Sequence, residues 1–349
     1  MLKSGNLIQG KCVTEFEDAL QSYLNVKNVV VVSSGTAALH LSLLALGIAK
    51  GDEVIVPAFT FPAAANVIEL LGAKPVLVDI SLDDFCIDAS RIEEAVSNRT
   101  KAILPVHEFG QAAEMDKVTA IAEKYDLEVV EDAACALGTE FNSRKAGTFG
   151  TLGCLSFHPR KVITTGEGGA VVAEDDELAE RIRTLRNHGI SIIDGKYDVA
   201  YAGLNYRITD FQAALGLFQL FSIEDIIKAR IEIAKTYDEK LSPIDWVTVP
   251  KLFRDRKNVY QTYHIMLDDK IDRDELIRSL RKKDIEANVG AQALNCLTHY
   301  REKYALEEQD FPNAARAFKQ GLALPMGNHV SCEDIEYIAN TLSGISDKS

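Results

Sequence analysis

Three short segments of this sequence carry side chains whose chemistry would serve a single reaction centre. Lys161 stands between an apolar run and the glycine-rich turn 164–169, and Asp132 closes the apolar run 127–131. Segment 33–36, Ser-Ser-Gly-Thr, joins a third apolar run to a helical pattern. A lysine amine attacks carbonyl carbons, a carboxylate holds a proton on a basic ring nitrogen, and a helix start binds phosphate. Together the segments predict a site for a phosphorylated heterocyclic aldehyde.

Pyridoxal phosphate contains these three parts, and Lys161 is the residue that we predict to form a Schiff base with it. The amine reacts only when it is uncharged, a state that burial and neighbouring positive charge favour. Arg160 and His158 are the nearby candidates for that charge. A lysine before a glycine-rich turn is also common on protein surfaces. The small residues of 164–169 favour the reactive interpretation because they let backbone and ligand approach closely.

Two of the predicted site positions leave a choice between neighbours. Asp132 is the predicted partner of the pyridine nitrogen, but Glu131 competes for that role, and a lone aspartate also caps helices. Because side chains alternate along a strand, only one of these two acids can face the ring. Phe61 is the predicted aromatic that stacks on the heterocycle. Phe59 is the alternative, and plain core packing is a further one.

Apolar, β-branched runs alternate with amphipathic stretches over the first two thirds of the chain. They predict buried parallel strands at 29–32, 53–56, 75–78, 102–106 and 128–131, followed by strands at 153–157 and 169–173. Helical spacing predicts helices at 36–48, 61–71, 90–96 and 115–125, and one long helix at 209–239 with a Thr-Asp cap. The alternation predicts an α/β fold whose mostly parallel sheet is sandwiched by helices and binds ligands at the carboxyl ends of its strands.

The chain is long enough for two domains. Its 349 residues exceed the usual size of a single core, and segment 241–245, Leu-Ser-Pro-Ile-Asp, is the predicted boundary. We predict a large cofactor-binding domain at 1–240 and a small α+β domain at 241–349. The small domain is predicted to contain a strand at 262–267 and helices at 273–283 and 332–342.

Composition argues against several classes of function. The formal net charge of −14 argues against a nucleic-acid-binding surface. The six cysteines are scattered, without a Cys-x-x-Cys pair or a His/Cys cluster at metal spacing, which predicts a reducing cytoplasm and no metal. No run of about eighteen apolar residues exists, and the first residues lack the pattern of a signal peptide. We therefore expect a cytoplasmic enzyme with no membrane span.

Taken in chain order, these segments resemble the DegT/StrS family of nucleotide-sugar aminotransferases. That family belongs to the fold-type-I, aspartate-aminotransferase-like group of pyridoxal phosphate enzymes. The small domain matches more loosely, through Tyr263-His264 and 321–325. A series of blocks in one order is far more specific than any single block. The matching blocks are SSGTAALHLSLLALG, GDEVIVPAFTFPAAANVI, GAKPVLVDI, VVEDAACALGTEF, SFHPRKVITTGEGG, LRNHG and GLNYRITDFQAAL.

The resemblance implies a role for each matching position. It implies Lys161 as the Schiff-base lysine, Asp132 as the pyridinium partner and Phe61 as the stacking ring. The further cofactor contacts that it implies are Gly35, Thr36 and Ser156 at the phosphate, Cys135 near the phenolic oxygen (where many relatives have His or Gln), and Asn205 at the phosphate of the neighbouring subunit's cofactor. A shared active site of this kind implies a homodimer.

Three positions are candidates for substrate contacts. His158 lies close to Lys161 in the sequence, while Tyr206 and Arg207 follow Asn205 in a polar cluster before the long helix. By themselves the residues of that cluster show only a capped helix start. Segment 288–295 is expected to border the pocket for the sugar nucleotide.

The resemblance also implies a ping-pong transamination in which pyridoxal phosphate alternates with its pyridoxamine form. Glutamate supplies the amine and leaves as 2-oxoglutarate, and a keto-sugar attached to a nucleoside diphosphate receives it. The product would be an amino sugar for a surface polysaccharide or glycoconjugate. The turn 163–169 resembles the subgroup that aminates C-4 of 4-keto-6-deoxy sugars, whereas enzymes acting at C-3 more often show a turn ending in Gly-Asp-Ala-Gly.

Two alternatives to this activity stay open. One is a C-3 aminotransferase of the same family, and the other is a non-catalytic regulator that binds the cofactor. A sugar dehydrase is disfavoured because such relatives have His where Lys161 stands. Relatives usually carry further residues before the block 2–5, so we expect part of the substrate wall to depend on that region.

Overall fold

The computed structural model describes residues 5, 7–193 and 195–345 of the chain. Most of the block 2–5 lies outside these residues. The described α-helices, in chain order, are α1 (Lys11–Leu24), α2 (Gly35–Ala45), α3 (Ala63–Leu70), α4 (Ile92–Ala95), α5 (Met115–Tyr125), α6 (Asp176–Arg186), α7 (Asp210–Leu220), α8 (Ile223–Leu241), α9 (Arg273–Arg281), α10 (Thr298–Tyr304), α11 (Pro312–Gln320) and α12 (Cys332–Ser343).

The strands are numbered in the same way. The first ten are β1 (Asn28–Val32), β2 (Glu53–Pro57), β3 (Phe59–Thr60), β4 (Lys74–Val78), β5 (Thr100–Ile103), β6 (Glu128–Asp132), β7 (Glu140–Phe141), β8 (Arg144–Lys145), β9 (Leu152–Ser156) and β10 (Gly169–Ala173). They are followed by β11 (Ile190–Ile193), β12 (Lys196–Val199), β13 (Val247–Thr248), β14 (Arg256–Lys257), β15 (Tyr263–Leu267), β16 (Gln292–Ala293) and β17 (Gly321–Leu324).

A seven-stranded sheet forms the centre of the fold, in the order β1-β10-β9-β6-β5-β2-β4. Neighbouring strands from β9 to β4 pair in parallel, which confirms the predicted α/β fold with a mostly parallel sheet. β10 pairs antiparallel with both of its neighbours. The prediction of parallel pairing for 29–32 is therefore wrong. The link 157–168 between β9 and β10 contains no crossover helix, and without one the returning strand runs antiparallel.

This topology collects the chemically important segments at one edge of the sheet. The registers Val32↔Gly169 and Gly169↔Ser156 align the end of β1, the start of β10 and the end of β9. Asp132 ends β6 and pairs with Cys154 of β9. Because parallel strands end at the same side, the start of α2, the carboxyl end of β6 and the link 157–168 all face one cleft.

The predicted helix at 209–239 is two helices, α7 and α8. Thr209 caps α7 through a capping box with Gln212, as the Thr-Asp signal indicated. The helical hydrogen bonding stops at Phe221 and Ser222, although neither glycine nor proline marks the break. Packing explains the change of direction, since α7 lies along α1 whereas α8 packs against α12 in the C-terminal part.

The C-terminal part has a small sheet of its own, in the order β13-β15-β17. The helices α9 and α12 and the second half of α8 cover it with a separate apolar cluster. The predicted strand at 262–267 and helices at 273–283 and 332–342 are confirmed as β15, α9 and α12. α8 ends at Leu241, next to the predicted boundary, and the division into domains at 1–240 and 241–349 stays a prediction.

His264 of β15 is buried among aromatic rings where the two parts of the chain meet. Its ring stacks on Phe109 at a centroid distance of 4.2 Å and meets the edge of Phe85 at 4.9 Å. Neither ring nitrogen has a hydrogen-bond partner among the described residues. Burial, with a smaller contribution from the charge on Arg273, lowers the pKa of His264 to about 3. A neutral histidine therefore serves here as an aromatic packing residue.

Replacing His264 by leucine is expected to make the free energy of unfolding less sensitive to acid. The unfolded chain binds a proton on this residue near pH 6.5 whereas the folded chain does so only near pH 3, so folding stability falls as pH decreases through this window. Between pH 7.5 and pH 5 one such group removes about 2 kcal/mol. Urea unfolding measures the difference in the free energy of unfolding between the two pH values. That difference should be smaller by this amount in H264L, and H264Q is the polar control. An unchanged difference in both variants would contradict the assignment.

Candidate active site

The link 157–168 holds Lys161 at the floor of the cleft. The backbone amide of Lys161 donates to the carbonyl of His158 at 2.9 Å, and that of Thr165 donates to the carbonyl of Phe157 at 2.9 Å. Gln261 donates its side-chain amide to the carbonyl of Arg160 at 2.9 Å and so ties the link to the C-terminal part. The lysine Nζ is thereby directed inward, 3.0 Å from the Sγ of Cys135.

β6 separates the two neighbouring acids, as strand alternation requires. Glu131 is fully buried and accepts hydrogen bonds from the backbone amides of Gly147, Phe149 and Gly150 and from the ring of His107. Asp132 lies on the opposite face, toward the cleft, where its Oδ1 accepts from the amide of Ala134 at 3.0 Å. Glu131 has no oxygen left for a ligand, so Asp132 is the acid available to a ring nitrogen.

The ring of His107 fixes the orientation of Glu131. Its Nδ1 accepts a hydrogen bond from the amide of Ala113 at 3.1 Å, which leaves the proton on Nε2. Nε2 then donates to the carboxylate of Glu131 at 2.9 Å. This buried chain of hydrogen bonds lies directly behind the cleft and holds the carboxyl end of β6 rigid.

Acidic groups surround the amine of Lys161. Burial works against a charge on this amine, but Cys135, Asp132 and Glu108 outweigh burial, so the pKa of Lys161 lies above its ordinary value. Burial raises the pKa of Asp132, and the amide of Ala134 and the charge on Lys161 offset part of that rise. Lys161 must therefore lose a proton before its amine can attack a carbonyl ligand.

The expectation that Arg160 and His158 make Lys161 reactive is wrong. Burial lowers the pKa of His158, so that its ring is neutral at physiological pH and supplies no charge. The side chain of Arg160 is exposed at the rim of the cleft rather than buried beside the amine. The groups that act on the amine of Lys161 instead come from the end of β6 and from the segments that follow β5 and β6.

The start of α2 forms a cradle for an anion. Ser34 caps the helix through its Oγ, which accepts from the amide of Ala37 at 3.0 Å. The amides of Gly35 and Thr36 begin the helix and therefore have no carbonyl partner one turn earlier. A Cβ atom at Gly35 would lie 2.8 Å from the Cβ of Ser156, so glycine is required for this close approach. The free amides of Gly35 and Thr36 and the hydroxyls of Thr36 and Ser156 thus lie at a helix N-terminus, which suits a phosphate group.

The aromatic side chain that faces the cleft is Phe61 rather than Phe59. Phe61 lines the cleft and is 64% exposed, so one face of its ring is free for a flat ligand. Phe59 is fully buried and packs against Phe85, Phe109 and His264. The structure therefore supports the predicted position for stacking and assigns Phe59 to the core.

A cavity of about 700 Å³ joins these parts. Its wall also contains residues of the segment 288–295, as expected from the sequence. The predicted site residues that line the cavity together are Gly35, Thr36, Phe61, Asp132, Cys135, Ser156, His158 and Lys161.

Three predicted site residues lie outside this cavity. Asn205 is exposed at the surface, with its backbone bridged to that of Asn187. The hydroxyl of Tyr206 contacts the Nδ1 of His40 at 3.1 Å, and Arg207 donates to Asn187 at 2.5 Å. The structure of one chain therefore does not bring Asn205, Tyr206 and Arg207 to Lys161.

Two residues of the cavity wall that could act on a ligand were not predicted from the sequence. Glu108 is buried beside Lys161, and Arg230 of α8 reaches the wall from the C-terminal side. A usable signal for Glu108 was present, since a charged residue closely follows the apolar run 102–106. Nothing in the pattern of α8 marks Arg230, because a lysine or arginine on a long amphipathic helix is usually solvated.

The residues present fit pyridoxal phosphate. Glycine at 35 leaves space for a phosphate at the two free amides, and Asp132 offers a buried carboxylate that has one backbone hydrogen bond. Lys161 supplies the amine for the aldehyde, and Phe61 a free aromatic face. In the part of the chain that the structure describes, no group of His, Cys, Asp and Glu is arranged to hold a metal ion. None of the described helices is long and apolar enough to cross a bilayer.

The fold and the site define a pyridoxal phosphate-dependent aminotransferase of fold type I. The chain belongs to the DegT/DnrJ/EryC1/StrS aminotransferase family, whose model matches residues 1–343. It is 36% identical to a GDP-perosamine synthase of Caulobacter vibrioides, over 96% of this chain and 90% of that protein. It is 34% identical to the UDP-2-acetamido-2-deoxy-3-oxo-D-glucuronate aminotransferase of Pseudomonas aeruginosa, over 98% of this chain and 93% of that protein.

Solved structures agree with the sequence relatives. The putative sugar aminotransferase Spr1654 of Streptococcus pneumoniae superposes with a TM-score of 0.94 at 29% identity, covering 99% of this chain and 93% of that chain in its PMP form. The same protein was solved in a PLP form. The predicted family, fold class and cofactor are confirmed, and the chain is a pyridoxal phosphate-dependent nucleotide-sugar aminotransferase.

Proposed function

We propose that this enzyme transfers the amino group of glutamate to C-4 of a 4-keto-6-deoxy sugar linked to a nucleoside diphosphate. The observation that supports the proposal is the cavity itself, whose wall contains Lys161, Asp132 and the anion cradle at Gly35. The remaining volume has space for a sugar and part of its nucleotide. The product serves the synthesis of a surface polysaccharide or glycoconjugate.

The turn 163–169 supports amination at C-4, because its sequence resembles that of the C-4 subgroup. Thr165 donates to the carbonyl of Glu167 at 2.7 Å, and Gln219 of α7 donates to the carbonyl of Thr164 at 2.6 Å. These bonds fix the turn rigidly against α7. A rigid turn next to Lys161 can set which ring carbon reaches the amine.

Arginine side chains on the cavity wall support an acidic amino donor. Arg230 is buried, and its Nη1 donates to the carbonyls of Tyr260 at 3.1 Å and Gln261 at 3.4 Å, while Nε has no partner. His329 and Arg160 line the same cavity. Arg230 lines the cavity, and a guanidinium held in place by the backbone binds carboxylates well. We assign to it a carboxylate of glutamate, which fits the proposed donor.

The side chains of the site divide the chemistry among them. When bound, the cofactor supplies a ring that accepts the electrons of the carbon from which a proton is removed. Lys161 takes that proton from the donor and returns one to the carbon that receives the amine. Asp132 keeps the ring nitrogen protonated, and the amides at Gly35 and Thr36 hold the phosphate. Phe61 covers one face and excludes water from it.

We infer that the functional unit is a homodimer with shared active sites. Asn205 is exposed and lies outside the cavity of its own chain, as expected for a residue that contacts the neighbouring subunit's cofactor. α7 and the residue after it present a continuous exposed apolar face that a second copy would cover. The residues of this face are Phe211, Leu215, Phe218 and Phe221, and the two last are each 77% exposed.

Replacing Phe218 by aspartate is expected to weaken dimerisation by about 100-fold, because a charge would be buried without a partner in the interface. Sedimentation velocity over a concentration series measures the change. Leu252→Asp is the matched control, since Leu252 is 72% exposed in a different part of the chain. Activity should fall together with the dimer, and an active monomeric F218D would contradict the shared site.

Turnover with a panel of substrates tests the reaction. Purified enzyme with glutamate is expected to convert C-4 keto-sugar nucleotides at least about tenfold faster than C-3 keto-sugar nucleotides, with the products identified by mass spectrometry. The relative named for a 3-oxo substrate keeps the C-3 reaction as the second candidate. Faster conversion of the C-3 substrates would contradict the proposed C-4 reaction and favour the C-3 reaction. We place the reaction in the cytoplasm, in keeping with the six cysteines, all of which are free thiols.

A further inference from the structure

Glu108 lines the cavity beside Lys161, and one of its carboxylate oxygens is buried without a partner in the described part of the chain. The residue is 5% exposed, and its Oε2 has no hydrogen-bond partner among the described residues. Thr60 and the backbone of Phe109 favour the charged form of the same carboxyl group and lower its pKa in part. A buried carboxylate oxygen without a partner is costly, so a ligand that supplies a donor would stabilise it.

The backbone around Glu108 fixes this orientation. His107 on one side is held through its ring by Glu131 and Ala113. Phe109 on the other side adopts a left-handed conformation with φ of 57°, and its ring packs in the aromatic cluster. The backbone position of Glu108 is therefore fixed from both sides.

The cofactor does not supply the missing donor. The protonated ring nitrogen of pyridoxal phosphate is the donor for Asp132, and the phenolic and phosphate oxygens are acceptors. The amine of Lys161 interacts with the charge on Glu108 in the free protein. That amine is unattached while the keto-sugar reacts, and in this structure it donates to the Sγ of Cys135 rather than to Oε2 of Glu108. The carboxylate of Glu108 is therefore left for the substrate.

Of the two substrates, the sugar is the one with suitable groups. The amine of glutamate is consumed in the transfer, and its carboxylates are acceptors that repel a second carboxylate. A keto-sugar presents ring hydroxyls next to the carbonyl carbon, and hydroxyls donate to carboxylates strongly. Glu108 stands where the reacting carbon must come, close to Lys161.

We propose that Glu108 accepts a hydrogen bond from a ring hydroxyl beside the carbon that receives the amine, and thereby selects keto-sugars with a free hydroxyl at that position. This inference rests on the proposed function. The pKa of Glu108 is raised to about 7, chiefly by burial, while the charge on Lys161 opposes the rise. The carboxylate form, which accepts best, therefore grows as pH rises through neutrality.

The test compares the wild type with Glu108→Leu and Glu108→Gln, using a keto-sugar nucleotide and its analogue that lacks the neighbouring hydroxyl. The wild type is expected to prefer the hydroxyl substrate in kcat/KM by about 10- to 100-fold, and E108L is expected to lose that preference. The affinity of the amino-sugar nucleotide product, measured by calorimetry, should fall by a similar factor in E108L. Glu286→Gln, an exposed carboxylate at the cavity rim, is the matched control and should keep the preference.

E108Q covers the case in which E108L fails to fold. Its amide oxygen still accepts a hydrogen bond, but it does not titrate, so the rise of kcat/KM for the sugar near pH 7 should disappear. The half-reaction with glutamate, followed by the absorbance of the bound cofactor, reports on the proposed function separately. A wild type that aminates none of the keto-sugars would overturn the function. An active wild type whose hydroxyl preference persists in E108L, or whose pH profile persists in E108Q, would overturn the role of Glu108.

Discussion

Replacement of Lys161 by alanine is expected to abolish the absorbance band of the covalently attached cofactor and to reduce turnover by at least about 10⁴-fold. The reason is that the structure offers no second lysine on the cavity wall, whose described residues include Lys161 as their single lysine. The variant loses both the attachment of the aldehyde and the group that moves the proton. Absorbance spectra of the purified protein and steady-state assays measure the two losses separately.

Lys161→Arg is the control for charge. Arginine would preserve a positive charge near Asp132 and Glu108 but has no amine that attacks an aldehyde at neutral pH. K161R should therefore fold, and bind the cofactor through the phosphate cradle without the covalent band. Steady-state turnover within tenfold of the wild type in either variant would be incompatible with the assignment of Lys161.

The sequence was sufficient for the parts of the site that local chemistry dictates. The strand ends at Val32, Asp132 and Ser156 follow from apolar runs that stop at polar residues, and topology then brings strand ends to one edge. The glycine at 35 follows from the turn that precedes α2. These features depend on residues close in the chain, which is why pattern alone was enough to predict them.

Features that depend on distant contacts were not accessible in this way. The charges that act on Lys161 come from β6 and from the loop after β5 rather than from its sequence neighbours. The prediction from sequence therefore had the wrong direction for the shift in the pKa of Lys161. The break between α7 and α8 arises because the two helices pack on different partners. α1 and α6 were missed because each buries only a narrow apolar stripe, which is Val13, Phe16, Leu20 and Leu24 in α1.

The two acids of β6 should have separate roles, with Asp132 required for turnover and Glu131 for stability. Asp132→Asn is expected to reduce turnover by at least about 10³-fold, because a neutral amide does not hold the ring nitrogen protonated. The fold should tolerate it, since burial already raises the pKa of Asp132 and the charged form contributes little stability. Steady-state kinetics and urea unfolding of the same preparation give both quantities.

Glu131→Gln is the matched opposite. Each carboxylate oxygen of Glu131 accepts two hydrogen bonds, from His107 and Gly147 on one side and from Phe149 and Gly150 on the other. A glutamine must turn its NH₂ group toward one of these pairs of donors, so we expect a loss of about 3–5 kcal/mol in the free energy of unfolding. The fraction that remains folded at low temperature should keep most of its turnover. The opposite result would be an E131Q that loses activity but not stability and a D132N that loses stability but not activity. The two acids would then have exchanged roles, and the ring nitrogen would bind on the other side of β6.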